Sequence, residues 1–158
     1  MRKIVIVLAT ILLIGIGGGG NMENNGLSLK GENVLTIRKT FQNDMILNLG
    51  PLFAFKNEDR IIVLITENSA VIGEAVFDEN GQLLSSDGVV PLASDAFTTT
   101  NIETAQEMED VFGNPHVDIG SGATIPTYIV DDGRVVTYHI YNNNIINQTI
   151  YLLIDETI

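Results

Sequence analysis

Residues 100–153, TNIETAQEMEDVFGNPHVDIGSGATIPTYIVDDGRVVTYHIYNNNIINQTIYLL, carry the pattern that decides the fold. Thr100 and Glu103 have the spacing of a capping box, in which the first side chain caps free amides and the second reaches back. Ile102, Ala105, Met108 or Glu109, and Phe112 then follow at helical spacing. Gly113 supplies a C-terminal stop and Pro115 blocks extension, so the spacing predicts a helix over 101–112. Beyond it, 125–131, 134–141 and 145–153 read as strands separated by Asp132-Gly133 and by Asn142-Asn143-Asn144. Val136, Tyr138 and Ile140 alternate onto one face, leaving Val135, Thr137, His139 and Tyr141 on the other. The expected class is α+β, a short helix packed on an antiparallel β-meander.

Upstream, Leu52–Lys56 and Arg60–Thr66 flank the polar turn Asn57-Glu58-Asp59 and read as a hairpin. Ala70–Asp78 and Gln82–Ser85 flank Asn80-Gly81, a turn pair whose residues tolerate positive φ. The stretch 33–49 fits strand or helix equally, because Leu35, Ile37 and Phe41 alternate but Ile46, Leu47 and Leu49 break the period. If it is helical, the chain becomes two α-β-β-β modules. The expected divisions are 1–20 as a signal peptide or N-terminal membrane anchor, 21–26 as linker, 27–86 as a β-rich region, 87–100 as loop, and 101–158 as the helix-and-meander region. Arg2-Lys3 before the apolar run IVIVLATILLIGI at 4–16 is the pattern of an export signal, and Gly17–Gly20 ends that run. The expected location is therefore extracytoplasmic, secreted or held at the outer face of the membrane, touching the membrane only through 4–20 if that segment is uncleaved.

A chain of 158 residues suits one domain or two small modules sharing a core. It has no Trp, so Ile, Val and Leu must fill the core. It has no Cys, which rules out disulfides, thiolate metal sites, a cysteine nucleophile and an acylated-cysteine lipoprotein anchor. The net charge is −12, and after Arg60 the single basic side chain is Arg134. Such a surface repels nucleic acid and anionic lipid, so neither is an expected partner.

Candidate chemistry gathers at Phe112–Tyr128. Gly120-Ser121-Gly122 lacks the Lys and following helix of a phosphate loop, and the G-x-S-x-G of a nucleophile elbow. His116 and Asp118 supply two potential metal ligands, too few for a site, with His139 the other histidine; the expected roles are instead a backbone hydrogen bond in the loop for His116 and the capping of free loop amides for Asp118. Asp131-Asp132-Gly133 and Asp78-Glu79-Asn80-Gly81 do not complete an EF-hand spacing and read as turns. No cofactor or metal is expected. A hydrolase acting on the envelope would need a pair such as His116 with Ser121, and a purely structural envelope component would need neither.

The segment from Gly113-Asn114-Pro115-His116-Val117-Asp118-Ile119-Gly120-Ser121-Gly122 through Ile125-Pro126-Thr127-Tyr128 resembles a family of small uncharacterised Gram-positive exported proteins with a G-x-P-H-x-D-I-G-S-G-x-x-I-P-x-Y stretch. It is more distantly similar to small outer-membrane assembly lipoproteins and to the β-lactamase inhibitory protein. The resemblance covers about 105–155 and implies a protein-interaction role, with another envelope or extracellular protein as partner. It supplies no catalytic residues. The residues assigned to binding are His116, Asp118, Gly120, Ser121, Gly122, Tyr128, His139 and Tyr141. His139 and Tyr141 are expected on an open sheet face with Thr137, beside Asn147 and Thr149.

Overall fold

The computed structural model describes residues 28–97 and 101–154; the expected signal segment 1–20 and linker 21–26 lie outside the described residues. The ambiguous stretch 33–49 divides into both of its readings. Helix α1 spans Val34–Thr40 and strand β1 spans Met45–Asn48. Asn33 caps α1 by accepting from the Thr36 amide at 3.1 Å, and Arg38 and Lys39 suit its C-terminal dipole. Arg38 reaches back to donate to the Gly50 carbonyl while its guanidinium lies 4.0 Å from the centre of the Phe53 ring. That anchor holds α1 against the first turn of the sheet.

Strands β2 (Leu52–Asn57), β3 (Arg60–Glu67), β4 (Ala70–Asp78) and β5 (Leu83–Asp87) continue from β1 as an antiparallel meander in sequence order. Both expected hairpins form. After a connector, helix α2 (Ala105–Phe112) precedes a second antiparallel meander of β6 (Val117–Asp118), β7 (Pro126–Ile129), β8 (Arg134–Tyr141) and β9 (Asn144–Leu152). The chain is thus α+β, with a helix followed by a meander in each half.

Side-chain parity sets the layers. Phe53, Phe55, Ile62 and Leu64 face α1 and pack on Val34, Ile37 and Phe41. Phe41 stacks on Phe55 at 4.0 Å between ring centres. The alternate residues Leu52, Ala54, Ile61, Val63 and Phe77 meet Ile129 and Val135 of the second sheet and Leu153 just after β9. The opposite face of that sheet, Tyr128, Val136 and Tyr138, packs under Met108 and Phe112 of α2. The order is helix, sheet, sheet, helix. Strand β3 is covered on both faces, which is why Ile61–Ile65 is an unbroken apolar run although the sheet is antiparallel.

Helix α2 begins later than its spacing predicts. Its N-cap is Thr104, whose hydroxyl accepts from the Glu107 amide at 3.1 Å, and the Glu107 carboxylate accepts from the Glu103 amide at 2.9 Å. Thr100 lies outside the described residues. The physical reason for the later start is tertiary. The Glu103 carbonyl accepts from Ile145 and the Ala105 amide donates to Asn143, so 103–105 pairs with the β8–β9 turn before the helix starts.

The connector is stitched to the second sheet. Leu92 donates to the Ile129 carbonyl and accepts from the Asp131 amide, and the Asp131 side chain accepts from the Ser94 amide. Val89 belongs to the core between the sheets.

Candidate functional site

The conspicuous motif wraps the end of the second sheet. Gly113 ends α2 with φ 78°, Asn114–His116 turns the chain, and His116 then inserts its ring against the sheet. Its Nδ1 accepts from the Ile129 amide at 2.8 Å, and the ring also bonds the Val90 backbone. Burial, partly offset by that Val90 bond, pushes its pKa below the usual histidine value. Neutral His116 therefore clamps β7 to the connector. It also walls an open groove of about 440 Å³ whose other lining includes Ile65, Ile72, Val90 and Phe112.

Asp118 closes the glycine loop. Its Oδ1 accepts from the Gly120 amide at 2.8 Å and the Ile125 amide at 3.0 Å, while Ile119 donates to the Ile125 carbonyl. Gly120 does not have positive φ; it is required because a Cβ there would collide with the Ala123 carbonyl. Gly122 does have positive φ, at 84°. Ser121 and Gly122 stand exposed at the tip with Ala123 and Thr124.

Tyr128 is fully buried, and its hydroxyl donates to the Gly113 carbonyl at 2.9 Å. Burial chiefly, with Glu109 adding to it, holds its phenol protonated well above the usual range. Tyr138, raised by burial as well, accepts from Gln148. Phe112, Tyr128 and Tyr138 form one aromatic cluster under α2, with the His116 ring 5.8 Å from that of Tyr128.

His139 and Tyr141 lie at the far end of β8, and the sheet brings the glycine loop there too. Thr124 bridges Ile140, whose amide donates to the Thr124 carbonyl. Ser121–Thr124, Tyr141 and the Asn142-Asn143 turn thus share one end of the sheet. Both turn residues have positive φ, 49° and 64°, the geometry of a tight two-residue hairpin. The face carrying His139 is not the open face expected of it, because part of its length packs on the first sheet. Val135, Thr137 and Thr127 are buried towards the first sheet, His139 is half-buried, and Tyr141 is 66% exposed. Asn147, paired with His139, is exposed.

Exposed Ile146, at 65%, escaped the sequence reading. It occupies a bulge, since pairing shifts between His139–Asn147 and Ile140–Ile145. The Ile145-Ile146 doublet was the available signal, because a strand that alternates cannot bury both. Elsewhere, Glu74 is a buried carboxylate that accepts from the Leu29 amide at 3.1 Å, and burial raises its pKa. It holds the incoming chain and faces no cleft of the motif. Among the described residues, no group of three or more His, Cys, Asp or Glu could hold a metal ion, and no helix is long and apolar enough to cross a membrane.

No family model and no curated protein matches the chain, so the resemblance around 113–128 rests on the motif alone. Among solved structures, the chain is similar to a "putative beta-lactamase inhibitor protein from STREPTOCOCCUS MUTANS", at 12% identity, over 84% of this chain and 89% of that one, with a TM-score of 0.26. Superposition this loose bears on neither mechanism nor partner.

Proposed function

We propose that the protein is an exported binding module that engages another envelope or extracellular protein, and that it is not a catalyst. Its docking surface is the end of the second sheet formed by Ser121–Thr124, His139 and Tyr141. The observation that carries this reading is the exposure of Tyr141 at the same sheet end as a loop without charge, on a chain whose net charge is −12. From Arg134 to Asp155, and from Asp118 to Asp131, no Asp, Glu, Lys or Arg intervenes. Charge-poor surfaces with exposed aromatic anchors match the cores of protein interfaces, where tyrosine combines contact area with a hydroxyl. His116, Asp118, Gly120 and Tyr128 act in this reading as the frame that presents the loop. Export rests on Arg2-Lys3 and the run 4–16.

The test pairs binding with stability. Replacing His139 and Tyr141 together by Ala is expected to weaken capture of an envelope protein that the wild type retains, with an unchanged denaturant midpoint. Undiminished capture, or a double variant that unfolds, would remove this surface from the account.

A further inference from the structure

The outer side of β9 is an open strand edge. Sheet order ends at β9, and among the described residues nothing pairs with its outer side beyond Ile145, where Glu103–Ala105 covers it. The direction of its backbone groups follows from the neighbouring ladder. Arg134 and Ile140 bond towards β7, so Val135, Thr137 and His139 bond towards β9 and meet Tyr151, Thr149 and Asn147. The amides and carbonyls of Gln148, Ile150 and Leu152 therefore point outwards. Their neighbourhood is apolar: Ile150 is 46% and Leu152 58% exposed.

Edge strands are normally kept short or guarded by charge, proline or bulges. The other three sheet edges among the described residues are short: β1 has four residues, β5 five and β6 two. Strand β9 has nine residues and carries no charge and no proline; its bulge lies at its start, next to the part already covered.

We propose that β9 pairs antiparallel with β9 of a second copy, about a two-fold axis at Ile150, joining two four-stranded sheets into one. Two observations select a second copy as the occupant. The outward groups of Gln148, Ile150 and Leu152, which the segment 103–105 leaves uncovered among the described residues, can exchange hydrogen bonds with the same three of another chain, so the edge complements itself. Strand β9 carries no charge, so a contact there adds no close like-charge pair to the repulsion between two chains of charge −12. The pairing is isologous and closes, leaving β6 as each sheet's remaining edge. Ile150 then faces Ile150 of the partner subunit, and Gln148 faces Leu152 of the partner subunit. This contact is separate from the Tyr141 surface.

Because the full chain has no cysteine, single substitutions report the register without background. Residues facing each other in such a pair have Cα atoms about 5.5 Å apart, within disulfide reach. In the full-length protein, Ile150→Cys should form a disulfide-linked dimer on mild oxidation, whereas Gln148→Cys and the α1 control Leu35→Cys should stay monomeric on a non-reducing gel. Mixing Gln148→Cys with Leu152→Cys protein should restore cross-linking, which tests the pairing without altering Ile150. Absence of cross-linking both at 150 and in the mixture overturns the proposal. So does equal cross-linking at 148, 35 and 150.

Discussion

At the scale of single residues, the glycine loop and His116 act through backbone partners. Gly120→Val must move the Ala123 carbonyl and loosen the turn that Asp118 closes, so it should destabilise by roughly 1–3 kcal/mol in denaturant melts. Ser121→Ala at the exposed tip should stay within about 0.5 kcal/mol of wild type. His116 ties stability to pH. Its folded pKa lies below the unfolded value of 6.5, so the unfolded chain takes up its proton first as pH falls. The contribution is intact above about pH 6.5 and is lost as pH drops from there through the folded value, where protonation of Nδ1 also forfeits the Ile129 bond. Between about pH 7.5 and about pH 5.5, the wild-type melting temperature should therefore fall further than that of His116→Gln. Equal falls would deny His116 this role. The kind of contact was legible: a loop of this composition assigns His116 to a backbone bond and Asp118 to free loop amides, and both form. Which amides they take, those of Ile129, Gly120 and Ile125, was not, because only the folded chain brings these together.

At the scale of elements, what was legible was what is locally encoded. Asn80-Gly81, Asp132-Gly133 and the asparagines at 142–143 specify their turns by the φ values they tolerate, and the hairpins around them form as read. The start of α2 was not legible, because Thr100/Glu103 and Thr104/Glu107 offer the same cap spacing. The choice between them is made by Asn143 and Ile145, some forty residues downstream in the chain. Thr104→Ala should accordingly cost about 1 kcal/mol, the usual loss for an N-cap, as read from the urea midpoint. The division of 33–49 was hidden for a similar reason. Helix α1 has seven residues, too few to show a period, and Leu35 on it is exposed. In β9, the bulge at Ile146 and the open edge blur the alternation that would have marked exposed from buried positions.

At the scale of the molecule, the core between the sheets makes the two halves interdependent. Leu52, Val63 and Phe77 share one buried apolar cluster with Ile129, Val135 and Leu153. The chain should unfold as one unit, and its own chromophores can check this. There is no Trp, and all four tyrosines, at 128, 138, 141 and 151, lie in the second half. Tyrosine fluorescence thus follows the second sheet, while far-UV circular dichroism follows both. Coincident urea transitions are expected, and a separate tyrosine transition would mean that the sheets unfold independently. On this joint frame the charge-poor end of the second sheet is the proposed point of contact with a partner. Its most direct test is a photo-crosslinking amino acid placed at Tyr141 in the full-length protein in its native cells, with the same group at Leu35 as an equally exposed control on α1. The account predicts a discrete protein adduct at 141 that is absent at 35. No adduct at 141, or the same adducts at both positions, would contradict it.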